Sequence, residues 1–188
     1  MTLADGMAIR ELAVHADARG SLTELFRAST AALENVVQWN LVRSEAPVMR
    51  GVHVHLRYDE AYVLIEGRVI VGFRDARPGS PTEGRTGLVE LQGRRPTLVT
   101  SPPGIAHGLL FLERSVFLAG ASREWDPTNE LGCHWLDPEL GIEWPIRQAT
   151  LSDRDRDFGP LSAIRDRIPR WAPRAPRAAS GADRKSVV

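Results

Sequence analysis

The chain has 188 residues, of which 43% are hydrophobic and 26% charged, and its formal net charge is zero. This composition is typical of one soluble globular domain, and no apolar run approaches the ~18 residues that a membrane span requires. Basic residues gather in 165–188, so the rest of the chain is acidic and predicts no nucleic-acid partner.

Cysteine and lysine are both scarce. Cys133 is the only cysteine, which excludes an intrachain disulfide, and Lys185 is the only lysine, which excludes a Schiff base or phosphate-loop lysine in the body. The N-terminus lacks the basic start and apolar stretch of a signal peptide. We therefore expect a cytoplasmic protein with no membrane partner.

Short alternating or apolar runs, separated by Gly, Pro and charged turns, predict an all-β sandwich or barrel. The predicted strands are 7–17, 21–29, 36–44, 49–56, 62–75, 86–93, 96–102, 107–113 and 115–122. Helical spacing is limited to 29–36 and 161–168. We predict one domain over 1–165 and a disordered basic tail, rich in Pro, Ala and Arg, over 166–188, with Trp171 as the residue that could pack on the body.

Three histidines and a glutamate form the most informative pattern. His53, His55 and Glu60 follow the spacing H-x-H-x4-E-x6-G, and His107 ends P-x-G-x2-H. Alternation places His53 and His55 on one strand face. The set predicts a divalent transition metal (Fe, Ni, Mn or Zn); the alternative is a polar interior that binds a ligand without metal. The spacings resemble the two motifs of cupins, which implies a double-stranded β-helix, or jelly roll.

The chain also resembles dTDP-4-dehydrorhamnose 3,5-epimerases, which are enzymes with a cupin jelly roll. The matching segments are 17–26 (DARGSLTELF), 38–40 (QWN), Ser44, 50–53 (RGVH), 75–84, 103–108, 137–145 and 151–155 (LSDRD). The resemblance implies a small-molecule substrate, a dTDP-sugar, and a homodimer. Dimers of this kind often share edge strands, which covers exposed sheet edges.

The resemblance also implies roles for individual residues. His53 matches the base that removes a proton next to the sugar's keto group, and Asp155 matches the carboxylate that orients it. Other matching positions line the sugar-nucleotide pocket: Arg19, Glu24, Gln38, Asn40 and Arg50. For Arg19 and Arg50, the alternative role is a surface or interface salt bridge.

Three departures from the family pattern alter this prediction. His55 stands where the family has Gln, Glu60 where it has a Lys that stabilises the enolate oxygen, and Ala119 where it has the Tyr that reprotonates the sugar. The first two departures remove a cation and add two metal ligands. We therefore expect His53 to be a metal ligand with Asp155 behind it, and Tyr62, two residues after Glu60, to be the new acid or base. The alternative for Tyr62 is an ordinary core tyrosine.

These departures leave three classes of function open. Arg19, Gln38 and Arg50 favour a metal-assisted epimerase or isomerase acting on a keto-sugar nucleotide or related ketone. The lost Lys and Tyr favour a metal-dependent oxygenase or cyclase on the same scaffold, because three His and one Glu also suit Fe(II) chemistry. A non-catalytic ligand-binding cupin is the third class.

Overall fold

A computed structural model describes residues 2–27 and 36–173. Two five-stranded antiparallel sheets face each other, with the orders β1-β9-β6-β11-β4 and β12-β5-β10-β7-β8, and β2 pairs with β3 in a separate hairpin. The strands are β1 (Ala8–Glu11), β2 (Val14–Asp17), β3 (Gly20–Thr23), β4 (Gln38–Ser44), β5 (Val48–His55), β6 (Glu60–Glu66), β7 (Arg68–Asp75), β8 (Thr86–Gln92), β9 (Thr97–Ser101), β10 (Ile105–Phe111), β11 (Ser115–Ala121) and β12 (Glu130–Gly132). The predicted all-β jelly roll is confirmed.

Gly67 divides one predicted strand into two. The run 62–75 was expected to be continuous, but β6 ends at Glu66 and β7 begins at Arg68 in the other sheet. Gly67 has a φ of +89°, and a Cβ there would lie 2.6 Å from the carbonyl oxygen of Arg114. Only glycine tolerates both conditions without strain, so this corner joins the two sheets.

The core lies between the sheets and behind the second one. Alternate residues of β7 show the division, since Val69, Val71 and Phe73 join the cluster between the sheets, and Ile70 joins a cluster on the other face. The second cluster includes Trp135 and further residues from the segment after β12. Both faces of the second sheet are therefore buried, which explains why its strands read as nearly continuous apolar runs.

Helices are few and short in the residues that the structure describes. The α-helix α1 (Asp153–Arg156) has four residues, and the predicted helix 161–168 is two 3-10 helices, Leu161–Ala163 and Arg165–Arg167. The predicted helix 29–36 lies almost wholly outside the described residues. In the described ranges, no helix is long and apolar enough to cross a membrane. The cytoplasmic location stays a prediction.

The beginning of the predicted tail is attached to the body. Ile168 is buried in the apolar cluster behind the second sheet. The indole N–H of Trp171 donates to Asp5 Oδ2 at 2.7 Å, and the backbone N–H of Trp171 donates to the carbonyl of Pro78. Trp171 therefore contacts the body, as expected, and the residues up to it are not a free tail; the domain boundary at 165/166 stays a prediction. The remainder of the predicted tail, 174–188, lies outside the described residues.

A buried carboxylate organises the turn after β7. Asp75 accepts from Nε and Nη2 of Arg77 at 2.8 and 2.7 Å, and from the hydroxyls of Ser80 and Thr82 at 2.6 Å each. Burial alone would raise the pKa of Asp75, but these bonds hold it below its ordinary value. The carboxylate is therefore ionised and fully paired.

Replacing Asp75 with Asn should lower the free energy of unfolding by about 3–5 kcal/mol, because Arg77 keeps a buried charge without its counter-ion. The lowered pKa means that the carboxylate stabilises the fold above pH ~4 and loses this effect as the pH falls through the folded-state value. Measured by denaturant unfolding between pH 2 and 7, the free energy of unfolding of the variant should fall less steeply than that of the unmodified protein as the pH decreases. Glu11→Gln, which breaks the exposed pair with Arg95, is the matched control and should change little; equal effects of both substitutions would contradict the prediction.

Candidate active site

A cavity of about 730 Å³ opens between the sheets and is lined by side chains of β4, β5, β6, β10, β11 and α1. Most of the predicted site residues line it: Gln38, Asn40, Arg50, His53, His55, Glu60, Tyr62, His107 and Asp155. This volume lies in the usual range for sites that bind small molecules and cofactors. The cavity therefore gathers residues from distant parts of the sequence at one place.

His53 and Asp155 form a hydrogen-bonded pair. His53 Nε2 lies 2.9 Å from Asp155 Oδ1, and the other carboxylate oxygen accepts from the backbone N–H of Gly51 at 3.1 Å. Ser152 caps α1 by accepting from the Asp155 N–H at 3.1 Å, which fixes the helix that carries the carboxylate. A neutral ring bonded in this way carries its proton on Nε2 and its lone pair on Nδ1.

The electrostatics of this pair agree with that protonation state. Burial lowers the pKa of His53, against the opposing effect of Asp155. Burial would raise the pKa of Asp155, but the bonds from His53, Gly51 and Ser152 bring it below its ordinary value. The arrangement of a neutral imidazole oriented by a carboxylate is that of a general base.

A second cluster joins His55, Glu60 and His107. Glu60 Oε2 lies 2.8 Å from His55 Nε2 and 3.0 Å from His107 Nε2, and one ligand atom from each residue lies within 4.8 Å of the others. His55 and His107 are buried, and the Glu60 side chain is 13% exposed. Burial would raise the pKa of Glu60, but the two histidines hold it well below its ordinary value.

His53 stands outside this three-residue group. Four ligands were predicted, but His53 Nε2 is bonded to Asp155, and the ring centroids of His53 and His55 are 6.4 Å apart. The structure thus separates the predicted tetrad into the His53–Asp155 pair and a candidate three-ligand metal site. The expectation that Asp155 lies behind His53 agrees with the observed contact.

Tyr62 reaches the same cluster. Its hydroxyl contacts Glu60 Oε2 and lies 2.7 Å from His107 Nε2, and its ring is 1% exposed. Burial and Glu60 both raise the pKa of Tyr62 well above its ordinary value, so the hydroxyl is protonated. Tyr62 pairs across the sheet with Ala119, the position where the family resemblance implies a tyrosine.

The predicted substrate-binding residues divide into two groups. Gln38 donates to Asn40 at 3.1 Å, and both line the cavity with Arg50, as alternation along β4 predicted. Arg19 and Glu24 do not line this cavity: Arg19 is exposed on the β2–β3 hairpin and pairs with Asp17 at 2.5 Å, and Glu24 pairs with Arg27. The separate hairpin places Arg19, and Glu24 directly after β3, away from the cavity of their own chain.

Three residues that sequence reasoning did not select surround the histidines. Glu130 lies opposite His55 in the β12–β5 pairing, Arg154 pairs with Glu130, and the Phe158 ring packs edge-on against His53 at 5.8 Å between centroids. The predicted elements did not include β12, so no spacing rule connected Glu130 to a residue 75 positions earlier. The position of Arg154 beside Asp155 was the one available indication.

Gly132 makes room for Phe158. A Cβ at this position would lie 2.1 Å from Phe158 Cζ, so Gly132→Ala should displace the ring that packs against His53. We expect a loss of about 1–3 kcal/mol in the free energy of unfolding, as for other overpacked sites. Gly159→Ala is the control, because its Cβ would meet nothing closer than Ala163 at 3.9 Å. Equal unfolding midpoints for the two variants would refute the packing role.

Comparisons with known proteins agree with this architecture. The family model described as dTDP-4-dehydrorhamnose 3,5-epimerase matches residues 1–163. An enzyme of that name from Mycobacterium tuberculosis (strain H37Rv) is 35% identical over 174 residues, which span 84% of this chain and 85% of the relative.

Solved structures of sugar-nucleotide epimerases also resemble this chain. The epimerase RmlC from Legionella pneumophila, in complex with dTDP-4-keto-L-rhamnose, has a TM-score of 0.83 at 31% identity and covers 92% of this chain and 97% of its own. ChmJ from Streptomyces bikiniensis, a 3'-monoepimerase in complex with dTDP-quinovose, has a TM-score of 0.81 at 29% identity over 89% of this chain and 90% of its own. The chain belongs to the dTDP-4-dehydrorhamnose 3,5-epimerase family, a family of isomerases.

Proposed function

We propose that this epimerase inverts a carbon next to the keto group of a dTDP-linked 4-keto-6-deoxy sugar, with a divalent transition ion bound beside the base. The observation that carries the proposal is the His53–Asp155 pair at 2.9 Å in a cavity that also presents Gln38, Asn40 and Arg50. The ligands in the complexes of the two solved relatives are dTDP-linked 6-deoxy sugars, and the ligand of the Legionella protein carries the 4-keto group. A guanidinium such as that of Arg50 suits a diphosphate, which it can contact through two parallel N–H bonds.

The chain's own residues supply the proton transfers. His53 Nδ1, which has the lone pair, takes the proton from the carbon, and the electron pair of the broken C–H bond moves toward the keto oxygen. Return of a proton to the opposite face forms the inverted C–H bond, and no redox change occurs. Asp155 holds the His53 ring and stabilises the imidazolium that forms.

Tyr62 is the proposed proton donor on the opposite face. The family resemblance implies a donor at the position of Ala119, and Tyr62 lies directly across from it on the adjacent strand. The hydroxyl lines the cavity and is protonated. Tyr62 on β6 would in this way replace the proton donor that is missing at Ala119 on β11.

The proposed ion would be held by His55, Glu60 and His107. His107 Nδ1 lies 3.1 Å from the carbonyl of Ile105, a contact that needs its proton. Burial would lower the pKa of His107, but Glu60 and Ile105 raise it above its ordinary value, so without an ion a proton on Nε2 can bond to Glu60. In the neutral form that a metal needs, Nε2 is unprotonated and points at Glu60 Oε2. The single hydroxyl proton of Tyr62 can satisfy only one of these two acceptors. A divalent cation satisfies the converging lone pairs together, and histidine with carboxylate suits Zn, Fe, Mn or Ni. When bound, such an ion polarises a carbonyl and stabilises negative charge on its oxygen, which is the part that the missing family lysine would play.

A homodimer is part of the proposal. The β2–β3 hairpin is exposed along its length, with Val14 49% and Leu22 57% exposed, and it carries Arg19. Exposed apolar residues on a projecting hairpin support contact with a second copy. In such a dimer, Arg19 and Glu24 could serve the partner's cavity, and size-exclusion chromatography with light scattering tests the state directly.

Hydrogen exchange tests the reaction. The protein, loaded in turn with Zn²⁺, Mn²⁺, Ni²⁺ or Fe²⁺, is incubated with dTDP-4-keto-6-deoxyglucose in D₂O, and NMR should show deuterium at C3 or C5. Binding of the sugar nucleotide without exchange under every ion would contradict the proposal. The loss of the family Lys and Tyr would then favour the oxygenase or cyclase class, which consumption of dioxygen would identify.

A further inference from the structure

Glu130 is a buried carboxylate placed directly opposite His55. The two residues are Cα partners in the pairing of β12 with β5, and Glu130 Oε2 lies 3.5 Å from His55 Nδ1. The side chains of both residues are 6% exposed. Glu130 therefore belongs to the surroundings of His55, on the side of the ring away from Glu60.

The His55 ring has one nitrogen without a hydrogen bond. Nδ1 is buried and unpaired, while Nε2 lies 2.8 Å from Glu60 Oε2. The ring stacks on Tyr58, with centroids 4.4 Å apart and an angle of 30° between the planes. With the plane fixed in this way, the two nitrogens can point only toward Glu60 and Glu130.

The position of the imidazole proton decides what His55 can do. A proton on Nε2 would be donated to Glu60 and would leave a buried lone pair on Nδ1 facing a carboxylate. A proton on Nδ1 faces Glu130 and leaves the Nε2 lone pair directed at Glu60, toward the same point as Nε2 of His107. Only the second form offers a metal ligand at that point.

Glu130 is held in place by its own partners. Arg154 pairs with Oε1, and the indole N–H of Trp125 donates to Oε2 at 3.1 Å. The Arg154 guanidinium also lies over the Phe158 ring, 5.5 Å from its centroid. These contacts fix the carboxylate and leave one lone-pair direction of Oε2 for His55.

We propose that Glu130 is the positioning residue of His55: it accepts the Nδ1 proton, so that Nε2 is presented as a metal ligand. This inference rests on the proposed metal site. Arg154 and Asp155 are neighbours on α1, so the same short helix orients both histidines of β5. Asp155 contacts His53 directly, whereas Arg154 acts on His55 through Glu130. Carboxylates that orient a ligating histidine commonly contribute 10- to 100-fold to metal affinity.

Metal affinity of matched variants tests this role. Glu130→Ala should weaken Zn²⁺ binding by about 10- to 100-fold in a competition titration with a chelating dye. Glu130→Gln keeps the shape and one acceptor oxygen, and should give a smaller loss. Glu139→Ala, which removes an exposed pair with Arg165, is the control and should bind like the unmodified protein. Unchanged Zn²⁺ affinity in Glu130→Ala would overturn the inference.

A second readout follows the imidazole proton. In ¹⁵N-edited NMR of the metal-free protein, His55 should carry its proton on Nε2, the nitrogen 2.8 Å from Glu60, and Zn²⁺ should move this proton to Nδ1, which faces Glu130. A Zn²⁺-loaded protein in which Nδ1 of His55 is the ligand would overturn the role of Glu130. If the unmodified protein binds no Zn²⁺, the proposed metal site itself fails, whereas Zn²⁺ binding that is equal in Glu130→Ala contradicts only the role of Glu130. If Glu130→Ala does not fold, Glu130→Gln carries both measurements.

Discussion

Replacing His53 with Asn should reduce deuterium incorporation into the sugar by about 10²- to 10⁴-fold, the usual contribution of a positioned base. Asn keeps much of the shape of the ring and can still donate to Asp155, but it has no lone pair of comparable basicity. Binding of the sugar nucleotide should persist, because His53 is proposed to act on the proton and the nucleotide is held by other residues. Exchange is followed by NMR in D₂O, and binding by calorimetry.

His134→Asn is the matched control for this substitution. His134 lies outside the cavity, and its Nδ1 accepts from the backbone N–H of Leu136 at 3.3 Å, a role that an Asn oxygen can fill. This variant should exchange deuterium at the unmodified rate. Full exchange in the His53 variant would assign the base to another residue.

The Glu60→Gln substitution should weaken metal binding by at least about 100-fold, because it removes the anionic ligand, and even partners outside the ligand set contribute 10- to 100-fold. Equilibrium dialysis with elemental analysis measures the occupancy. Glu66→Gln, on the same strand but exposed, is the control and should load normally. Retention of full occupancy by the Glu60 variant would remove it from the ligand set.

A double substitution tests the same site from the opposite direction. His55→Gln combined with Glu60→Lys restores the pair that the family resemblance implies, and an ammonium at this place repels a divalent ion. The double variant should bind no metal and should exchange deuterium in the presence of EDTA. Metal binding that survives this change would place the ion elsewhere.

Local periodicity predicted much of the site correctly. The alternation along β5 placed His53 and His55 on the same face, and the spacing of two placed Tyr62 beside Glu60, as the contact of their side chains confirms. The same reasoning joined Gln38 to Asn40. These results depend only on the two-residue repeat of a strand, which the sequence displays directly.

The separation of His53 from the other three predicted ligands could not be predicted from strand alternation. Asp155 is 102 residues from His53 and takes its Nε2, a contact that depends on where α1 packs. The pairing of β5 with β10 also shifts register beside His53, where His107 faces His53 but Gly108 faces Gly51. An extra residue of this kind redirects neighbouring side chains, and no spacing rule in the sequence reveals it.

Long-range placement explains the other differences. Arg19 and Glu24 were assigned to the pocket by resemblance, yet the hairpin that carries Arg19 pairs only with itself in the described chain. The run 7–17 was expected to be one edge strand, but β1 pairs with β9 and β2 with β3. Strand type follows from local residues, whereas the choice of partner depends on the whole chain.

A crystal structure with a sugar nucleotide and Zn²⁺, with anomalous data collected above and below the zinc edge, tests the central claim most directly. We predict one anomalous peak among His55 Nε2, Glu60 and His107 Nε2, with C3 or C5 of the sugar facing His53 Nδ1. No peak at that point, or a sugar whose keto carbon and its neighbours lie away from His53, would contradict the proposed site.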